Sequence, residues 1–192
     1  MSNKPLVSMI VPVYNAEKFL RRCLDSLVYQ TLEDIEIICV NNGSEDGSLD
    51  ILNEYHELFP DKLFVITIEH HPRAGHGRNV GMQHARADYF AFCDSDGMIH
   101  LKTLEWMYEE AMKNDCDLVF APHWRVEDRH FLIGGRFPAK LKPQVQDLMV
   151  SASPSVWAKL IHRSLIDKIG YMPEDISAED VPYSYMLHTN AE

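Results

Sequence analysis

The N-terminal half of the chain alternates short apolar runs with segments whose apolar residues recur every three or four positions. Residues 6–13 form a nearly continuous apolar run, typical of a strand covered on both faces. Residues 17–30 carry one apolar stripe, typical of a helix, and Asn15 offers a cap for it. Further strands are predicted at 35–40, 63–68, 89–93 and 117–121, and further helices at 48–58, 77–87 and 101–114. This alternation predicts an α/β fold with a mostly parallel sheet and helices on both faces.

The pattern is less regular after residue 122. Residues 124–137 predict a hairpin around the pair Gly134-Gly135, and the stretch 138–154, with several prolines, is expected to cover the edge of the sheet. Residues 155–169 return to an apolar and basic pattern. A loop then leads to a last helix, which is predicted to start near Glu179.

Composition narrows the classes of protein to consider. The chain has 192 residues, of which 46% are hydrophobic and 24% charged, as in an ordinary soluble domain. Its formal charge of −11 argues against a nucleic-acid partner, which would require a basic surface. A strongly acidic chain also accommodates a divalent cation more easily.

Cysteine usage and apolar run lengths indicate the compartment. The four cysteines are widely spaced and form no C-x-x-C pair, which favours a reduced, cytoplasmic protein. No apolar run approaches the roughly 18 to 20 residues of a membrane span, and the N-terminus lacks the apolar region of a signal peptide. We therefore expect no transmembrane segment, while peripheral contact with the inner face of a membrane stays open.

Two carboxylates, Asp94 and Asp96, follow the apolar run Tyr89 to Cys93. Side chains alternate along an extended backbone, so both aspartates are expected to point the same way at the end of the strand. Such a pair suits a divalent cation that carries phosphate, because Mg²⁺ takes one or two protein carboxylates and fills its other positions with water and substrate oxygens. The alternative is that the aspartates merely open a turn before Gly97.

Polar clusters also follow other predicted strands, and ligands of open parallel sheets bind at the carboxyl ends of the strands. The four clusters are 12–15, 41–48, 75–79 and 94–97. Together with Glu179-Asp180, their residues and order resemble the family 2 glycosyltransferases over almost the whole chain. The matching segments are Val7 to Asn15, Gly43-Ser44 with Asp46-Gly47-Ser48, Gly77-Arg78-Asn79-Val80-Gly81, Asp94-Ser95-Asp96, and Glu179-Asp180.

The resemblance implies a GT-A fold, a Rossmann-like sheet between helices, and use of a nucleoside diphosphate sugar. It implies one domain over residues 1–192, with a nucleotide-binding half at 1–97 and an acceptor-side half at 98–192. It further implies that a metal, Mn²⁺ or Mg²⁺, is held by Asp96. The implied donor-binding residues are Pro12, Val13, Tyr14, Asn42, Arg78, Asp94 and Ser95.

Asp180 is the catalytic base that the resemblance implies. In this family a carboxylate preceded by Glu removes the proton from the acceptor hydroxyl, and the configuration at the anomeric carbon is inverted. The alternative is structural, because Ser177-Ala178-Glu179-Asp180 also fits a helix capping box in which Asp180 bonds a backbone N–H. Trp157 and Lys159 match a segment that often lies beside the acceptor, although an aromatic residue there can simply pack the last helix.

Four positions depart from the family pattern. Asn41-Asn42 replaces a common Asp-Asp pair, so an amide replaces the carboxylate that usually accepts a hydrogen bond from the base. The expected loss is on the order of 1 kcal/mol, since charge-assisted hydrogen bonds exceed neutral ones by about that amount. Gly97 replaces another carboxylate, which predicts a weaker metal site. His76 stands where small polar residues are usual, and either contacts a phosphate or has no role.

The other histidines predict no site. His70 and His71 are adjacent and would point apart in an extended chain, and His123 and His130 have no partner at ligand spacing. We therefore expect them to be surface or packing residues. The pattern Gly75-x-Gly77-x-x-x-Gly81 is one residue off a dinucleotide-binding loop and follows the third strand, so a dehydrogenase is disfavoured.

Three functions remain open on this basis. The first is an inverting glycosyltransferase of cell-surface polysaccharide synthesis, which moves a sugar from a UDP-sugar, the favoured donor, to a hydroxyl of a glycan or lipid-linked acceptor. The second is a nucleotide-sugar-binding protein with little or no transferase activity, suggested by Asn41, Asn42 and Gly97. A nucleotidyltransferase is third, but residues 12–15 lack its glycine- and lysine-rich phosphate loop. The chain stops twelve residues after Asp180. Family members usually continue into further helices, so the resemblance implies that this chain is truncated at its C-terminus.

Overall fold

The structure is a computed structural model, which describes residues 4–71, 73–121, 123–126, 130–133 and 155–191. Nine strands and six helices lie within these residues. The strands are β1 Val7–Val13, β2 Ile35–Asn42, β3 Leu63–Ile68, β4 Tyr89–Phe92, β5 Met98–Ile99, β6 Leu118–Phe120, β7 His123–Val126, β8 His130–Ile133 and β9 Lys159–His162. The helices are α1 Glu17–Val28, α2 Ser48–Leu58, α3 Ala74–His84, α4 Thr103–Asn114, α5 Arg163–Ile169 and α6 Asp180–Asn190.

The main sheet has six strands in the order β3-β2-β1-β4-β9-β6. Strands β1 to β4 run parallel to one another, while β9 is antiparallel to both of its neighbours. A smaller sheet has the order β5-β8-β7. The predicted α/β architecture, mostly parallel with helices on both faces, is therefore confirmed.

Two apolar cores lie on opposite faces of the main sheet. Side chains alternate along β1, so that Val7, Met9, Val11 and Val13 enter one core while Ile10 enters the other. The first core receives the apolar faces of α1, α2 and α4. The second receives α3, α5 and α6. The sheet is thus covered on both sides, which explains why its central strands are nearly all apolar.

Helix α3 lies unusually close to β1, and Gly81 makes this possible. A Cβ atom at residue 81 would lie 2.4 Å from Cγ2 of Ile10, whose side chain is completely buried. The close approach matters for function because α3 also carries Arg78 in its first turns.

We expect Gly81→Ala to destabilise the protein. Overpacking a core costs about 1–3 kcal/mol, and a contact this short belongs at the upper end of that range. The better helix propensity of alanine returns only about 1 kcal/mol. Urea denaturation measures the difference, with Gln83→Ala on the exposed side of α3 as the control. If the free energy of unfolding of Gly81→Ala is unchanged or higher, the side chain of Ile10 moves aside at little energetic cost.

Some elements differ from the sequence-based expectation. β7 pairs antiparallel with β8, so both arms of this hairpin precede the pair Gly134-Gly135, around which the sequence pattern centred it and which lies outside the described residues. Residues 138–154, expected to cover the sheet edge, lie outside the described residues. Within the part of the chain that the structure describes, no helix is both long and apolar enough to cross a bilayer.

Candidate active site

The carboxyl ends of β1 and β4 form the topological switch point of the sheet. After β1 the chain adds β2 and β3 on one side, whereas β4 pairs with the other side of β1. Open α/β sheets bind ligands in the crevice that opens between two such strand ends. Tyr14 and Asn15 follow β1 here, and Asp94 to Gly97 follow β4.

The loops after β1 and β2 are tied together by the polar motif at residues 43–48. The backbone N–H of Asn15 donates to Oγ of Ser44 at 3.1 Å, and Oδ1 of Asn15 accepts from the N–H of Glu45 at 2.8 Å. Asn15 has a positive φ of 47°, a conformation that asparagine tolerates better than most residues. The motif therefore shapes the crevice, whereas sequence alone suggested that Asn15 would cap α1.

The N-terminus of α1 is capped from the neighbouring loop. Asp46 accepts a hydrogen bond from the N–H of Glu17 at 3.1 Å, and Ser48 accepts one from the N–H of Ala16 at 2.8 Å. The other carboxylate oxygen of Asp46 accepts from the N–H of Ser48 itself. Burial acts to raise the pKa of Asp46, but a side-chain hydrogen bond with Ser48 and these backbone hydrogen bonds together hold it below its usual value.

The loop that follows β3 lies beside the strand end of β2 and closes this side of the crevice. Asn42 forms a two-way clamp, since its side-chain N–H donates to the carbonyl of His71 and its Oδ1 accepts from the N–H of His71, both at 2.7 Å. The exposed ring of Tyr14 stacks on His70 with the ring centroids 4.4 Å apart. The amide of Asn42 thus already uses both hydrogen-bonding ends within the protein.

Asp94 to Gly97 form a hydrogen-bonded turn beyond the end of β4. The strand ends at Phe92, and the N–H of Gly97 donates to the carbonyl of Asp94 at 2.9 Å. The alternation expected for an extended strand therefore does not apply to Asp94 and Asp96. Asp96 is exposed, and its carboxylate makes no hydrogen bond or ion pair with any residue that the structure describes.

Arg78 joins Asp94 to Glu179. The guanidinium donates to Asp94 at 2.7 Å and to Glu179 at 3.1 Å, and the side chains of Arg78 and Glu179 are only 6% and 7% exposed. Gly75 allows this arrangement, because a Cβ atom there would lie 2.6 Å from Cγ of Glu179. The first turns of α3 therefore fix the segment that leads into α6.

Asp180 lies next to this cluster, at the first residue of α6. Burial raises its pKa above the usual value; the charge of Arg78 opposes this shift, and the charges of Glu179 and Asp94 add to it. The helix has no side-chain hydrogen bond at its N-cap. Ser177 instead accepts a hydrogen bond from Arg73, so the predicted capping box is not formed. The carboxylate of Asp180 is therefore available for chemistry.

A buried basic pair lies on the far side of Asp180. Lys159 is 2% exposed, donates to the carbonyl of Ser155, and has its pKa lowered to about 8 by burial, with the charge of Asp180 opposing the shift. Burial and then the charge of Lys159 lower the pKa of His188 to about 4. The family resemblance implied that Lys159 lies beside the acceptor, and this stays a prediction.

The predicted donor-binding residues differ in exposure. Tyr14 is exposed, Pro12 and Ser95 are half-buried, and Val13 is completely buried in the core. Val13 therefore exposes no surface at the crevice. Arg78 was expected to contact the nucleotide, but its guanidinium is engaged by two carboxylates beneath the crevice.

Sequence reasoning missed a possible metal site formed by His71, His76 and Glu174. Each offers one ligand atom, and the three atoms lie within 4.8 Å of one another. The rings of His71 and His76 pack together with their centroids 4.4 Å apart, so the expectation that His71 is a surface or packing residue stays a prediction. Sequence offered only one signal for the group, the unusual His76 at the start of α3.

Comparison with known proteins identifies the family. The family model described as Glycosyl transferase family 2 matches residues 8–170. The chain is 34% identical over 201 residues to the uncharacterized glycosyltransferase EpsJ of Bacillus subtilis (strain 168), covering 98% of this chain and 57% of that protein. It is 39% identical over 114 residues to the poly(ribitol-phosphate) beta-glucosyltransferase of Bacillus spizizenii, covering 58% of this chain and 18% of that one.

A solved structure confirms the fold. The crystal structure of S. aureus TarS 1-349 in complex with UDP-GlcNAc superposes with a TM-score of 0.82 at 26% identity, covering 97% of this chain and 54% of that one. The chain thus spans about half the length of EpsJ and of this TarS structure. The match over residues 8–170, together with the crevice at the strand ends, shows that the chain belongs to glycosyltransferase family 2 and has the GT-A fold.

Proposed function

We propose that this chain carries the donor site and the catalytic base of an inverting glycosyltransferase that acts in cell-surface polysaccharide synthesis. The donor would be a nucleoside diphosphate sugar, with UDP-sugar favoured because the similar TarS was crystallised with UDP-GlcNAc. The acceptor would be a hydroxyl of a glycan or lipid-linked molecule. The observation that carries the proposal is the bridge that Arg78 makes from Asp94, on the donor side, to Glu179, which precedes Asp180.

In this proposal the nucleotide occupies the crevice between the ends of β1 and β4. The exposed ring of Tyr14 offers the nucleobase an aromatic face, which the stack on His70 holds in place. The half-buried Pro12 lines the same pocket. Asp94, held by Arg78, accepts from a ribose hydroxyl and keeps a partly exposed oxygen for this purpose.

Asp96 fits a divalent cation of the hard type. Its carboxylate is exposed at the tip of the turn after β4 and is unpaired among the described residues, and it supplies the oxygen ligand that Mn²⁺ and Mg²⁺ prefer. A bound cation would neutralise the charge that develops on the leaving diphosphate. With one or two protein carboxylates at this site, the remaining ligands would come from the diphosphate and water.

Asp180 would act as the general base. It takes the proton of the acceptor hydroxyl while the acceptor oxygen forms a bond to the anomeric carbon, and the bond from that carbon to the diphosphate oxygen breaks. Attack opposite the leaving group inverts the configuration. The pKa of Asp180, raised by burial, favours this role because a carboxylate of higher pKa is a stronger base.

The Asp96→Ala variant tests the metal assignment. We expect it to lose the Mn²⁺ that binds together with UDP, because the exposed carboxylate is removed while the fold-supporting contacts of the turn are kept. Electron paramagnetic resonance measures free Mn²⁺, and the bound metal is the total minus this free concentration. Asp61→Ala, another exposed aspartate, serves as the control. Equal Mn²⁺ binding by Asp96→Ala and the control would assign the metal elsewhere.

A nucleotide-sugar-binding protein with little or no transferase activity is the second candidate. Its specific support is Asn42, whose amide is held in place by two hydrogen bonds to the backbone of His71 and lacks the negative charge of the usual aspartate. Both candidates predict metal-dependent binding of nucleotide. They differ in turnover, since only the transferase releases UDP from a UDP-sugar in an Asp180-dependent manner.

A further inference from the structure

We propose that His71, His76 and Glu174 form a second metal site, separate from Asp96, which takes a borderline cation such as Zn²⁺. We further propose that the cation fastens the segment leading to Glu179 and Asp180 onto helix α3. The three candidate ligands come from three different parts of the chain. His71 follows β3, His76 lies in the first turn of α3, and Glu174 lies in the segment between α5 and α6.

The geometry is close to that of a zinc site. Nδ1 of His76 lies 3.0 Å from Oε2 of Glu174, and the rings of His71 and His76 have their centroids 4.4 Å apart. Bonds of about 2.0–2.2 Å in a tetrahedral site place neighbouring ligand atoms roughly 3.3 Å apart. The three candidate ligand atoms all lie within 4.8 Å of one another, a spacing somewhat wider than that around a bound zinc ion. Rotation of the side chains would bring the atoms to the zinc-site spacing.

A set of hydrogen bonds already orients the ligands. Asn79 is 3% exposed and donates to Oε1 of Glu174 at 2.6 Å, while its own amide is fixed by the backbone of Met172 in both directions. Asn42 holds the backbone of His71 in the same two-way manner. In metal proteins, groups that hydrogen-bond the metal ligands fix the orientation of those ligands. Removing such a group typically weakens metal binding about 10–100-fold.

The ligand set selects the cation. Two imidazoles and one carboxylate suit Zn²⁺, whereas Mg²⁺ and Mn²⁺ prefer sites made of oxygen atoms. His71 and His76 are half-buried and Glu174 is exposed, so a fourth position stays open to water. The cation would replace the hydrogen bond between His76 and Glu174 and, among the described residues, one hydrogen bond of His71. Its Nδ1 accepts a hydrogen bond of 3.3 Å from the N–H of Arg73, and a cation on either ring nitrogen substitutes for that long bond.

A cation here would connect the catalytic segment to its support. Glu174 lies five residues before Glu179, and the intervening Ala178 has a φ of 54°, which is strained for a residue with a side chain. Helix α3 carries both His76 and Arg78, so metal binding and the Arg78–Glu179 ion pair would hold the same segment at two points. The site would thus order the region that positions Asp180.

Competition with a chromophoric chelator, using Zn²⁺ as the probe and tag-free protein in excess Mg²⁺, tests the site. We expect the wild-type chain to bind one Zn²⁺, and His76→Ala and Glu174→Gln to bind it at least ~10-fold more weakly. His84→Ala, an exposed histidine at the other end of α3, and Asp96→Ala are the controls and should bind like the wild type. Glu174→Gln keeps the side-chain volume and an oxygen for Asn79, so it tests the ligand without removing this support.

Equal Zn²⁺ binding by the wild type and Glu174→Gln would overturn the site, as would loss of binding in Asp96→Ala.

Hydrogen exchange tests separately whether the cation fastens the segment before Glu179 to helix α3. Zn²⁺ should slow exchange over residues 170–178 in the wild type and in His84→Ala, but not in His76→Ala. If the wild type binds zinc without slower exchange, the proposal that the cation fastens this segment to α3 is wrong. Neither result depends on nucleotide binding, so failure of the donor site would be distinguishable.

Discussion

Replacement of Asp180 by asparagine should lower sugar transfer by about 10²–10⁴-fold while nucleotide affinity stays close to that of the wild type. The amide has nearly the same shape but cannot accept the proton of the attacking hydroxyl. Asp180 makes no side-chain cap hydrogen bond at the start of α6, so the substitution should not disturb the helix. Release of UDP from a UDP-sugar measures the rate, and calorimetry measures the affinity.

The pH dependence gives an independent check on Asp180. Because burial raises its pKa, the acid limb of the pH–rate profile should lie above the usual range of an aspartate, about 3.9. Activity should fall as pH decreases through this raised pKa, since the base is then protonated. The exposed Asp167→Asn serves as a control and should leave the profile unchanged. If Asp180→Asn transfers sugar at the wild-type rate, the base must be sought elsewhere, with Glu179 the first alternative.

The second large effect is expected on stability, from Arg78→Met. The substitution leaves the carboxylate of Glu179, 7% exposed, without its cationic partner. Breaking a buried ion pair by removing one member costs about 3–5 kcal/mol, because the remaining charge is buried and uncompensated. Asp94 contributes less, since its side chain is 38% exposed and water can solvate it. Urea denaturation measures the free energy of unfolding.

The double variant Arg78→Met/Glu179→Gln separates the effect of the uncompensated charge on Glu179 from the effect of lost packing around Arg78. It removes the uncompensated charge, so it should recover part of the stability that Arg78→Met loses. Arg21→Met breaks an ion pair between exposed side chains, with Glu54, and should have little effect. If the free energy of unfolding of Arg78→Met lies within about 0.5 kcal/mol of the wild-type value, the ion pair of Arg78 does not stabilise the fold.

The sequence predicted much of the architecture because the relevant signals are local. Apolar residues at three- and four-residue spacing identified α1, and the apolar runs identified β1 and β2 to within a few residues. The order of these elements was enough to infer a parallel sheet with a ligand crevice at the strand ends. The resemblance to family 2 glycosyltransferases rested on motifs at those same strand ends.

Other features could not be predicted because they depend on contacts between distant residues. Asn15 appeared to cap α1, but it bonds the next loop, while Asp46 and Ser48 of that loop serve the helix start instead. Glu174 lies in a segment without periodicity, and its partner His76 is 98 residues earlier in the chain. Strand alternation placed Asp94 and Asp96 on one face, whereas the turn closed by Gly97 removes that constraint.

The hydrogen bonds of Asn42 give a physical reason for one departure from the family pattern. Asn42 was considered as a weakened acceptor for a nucleobase, but its amide clamps the backbone of His71 and shapes the loop that carries His70. An aspartate at this position could accept from the N–H of His71 but could not donate to its carbonyl. The asparagine thus suits the particular loop that this chain places beside Tyr14.

Calorimetric titration of the wild-type chain with UDP and with GDP, each in Mn²⁺ and then with EDTA, tests the central claim most directly. The proposed site predicts that one nucleotide binds per chain in Mn²⁺, that UDP binds more tightly than GDP, and that EDTA removes the binding. The absence of binding by either nucleotide in Mn²⁺ would contradict a donor site formed by Tyr14, Asp94 and Asp96.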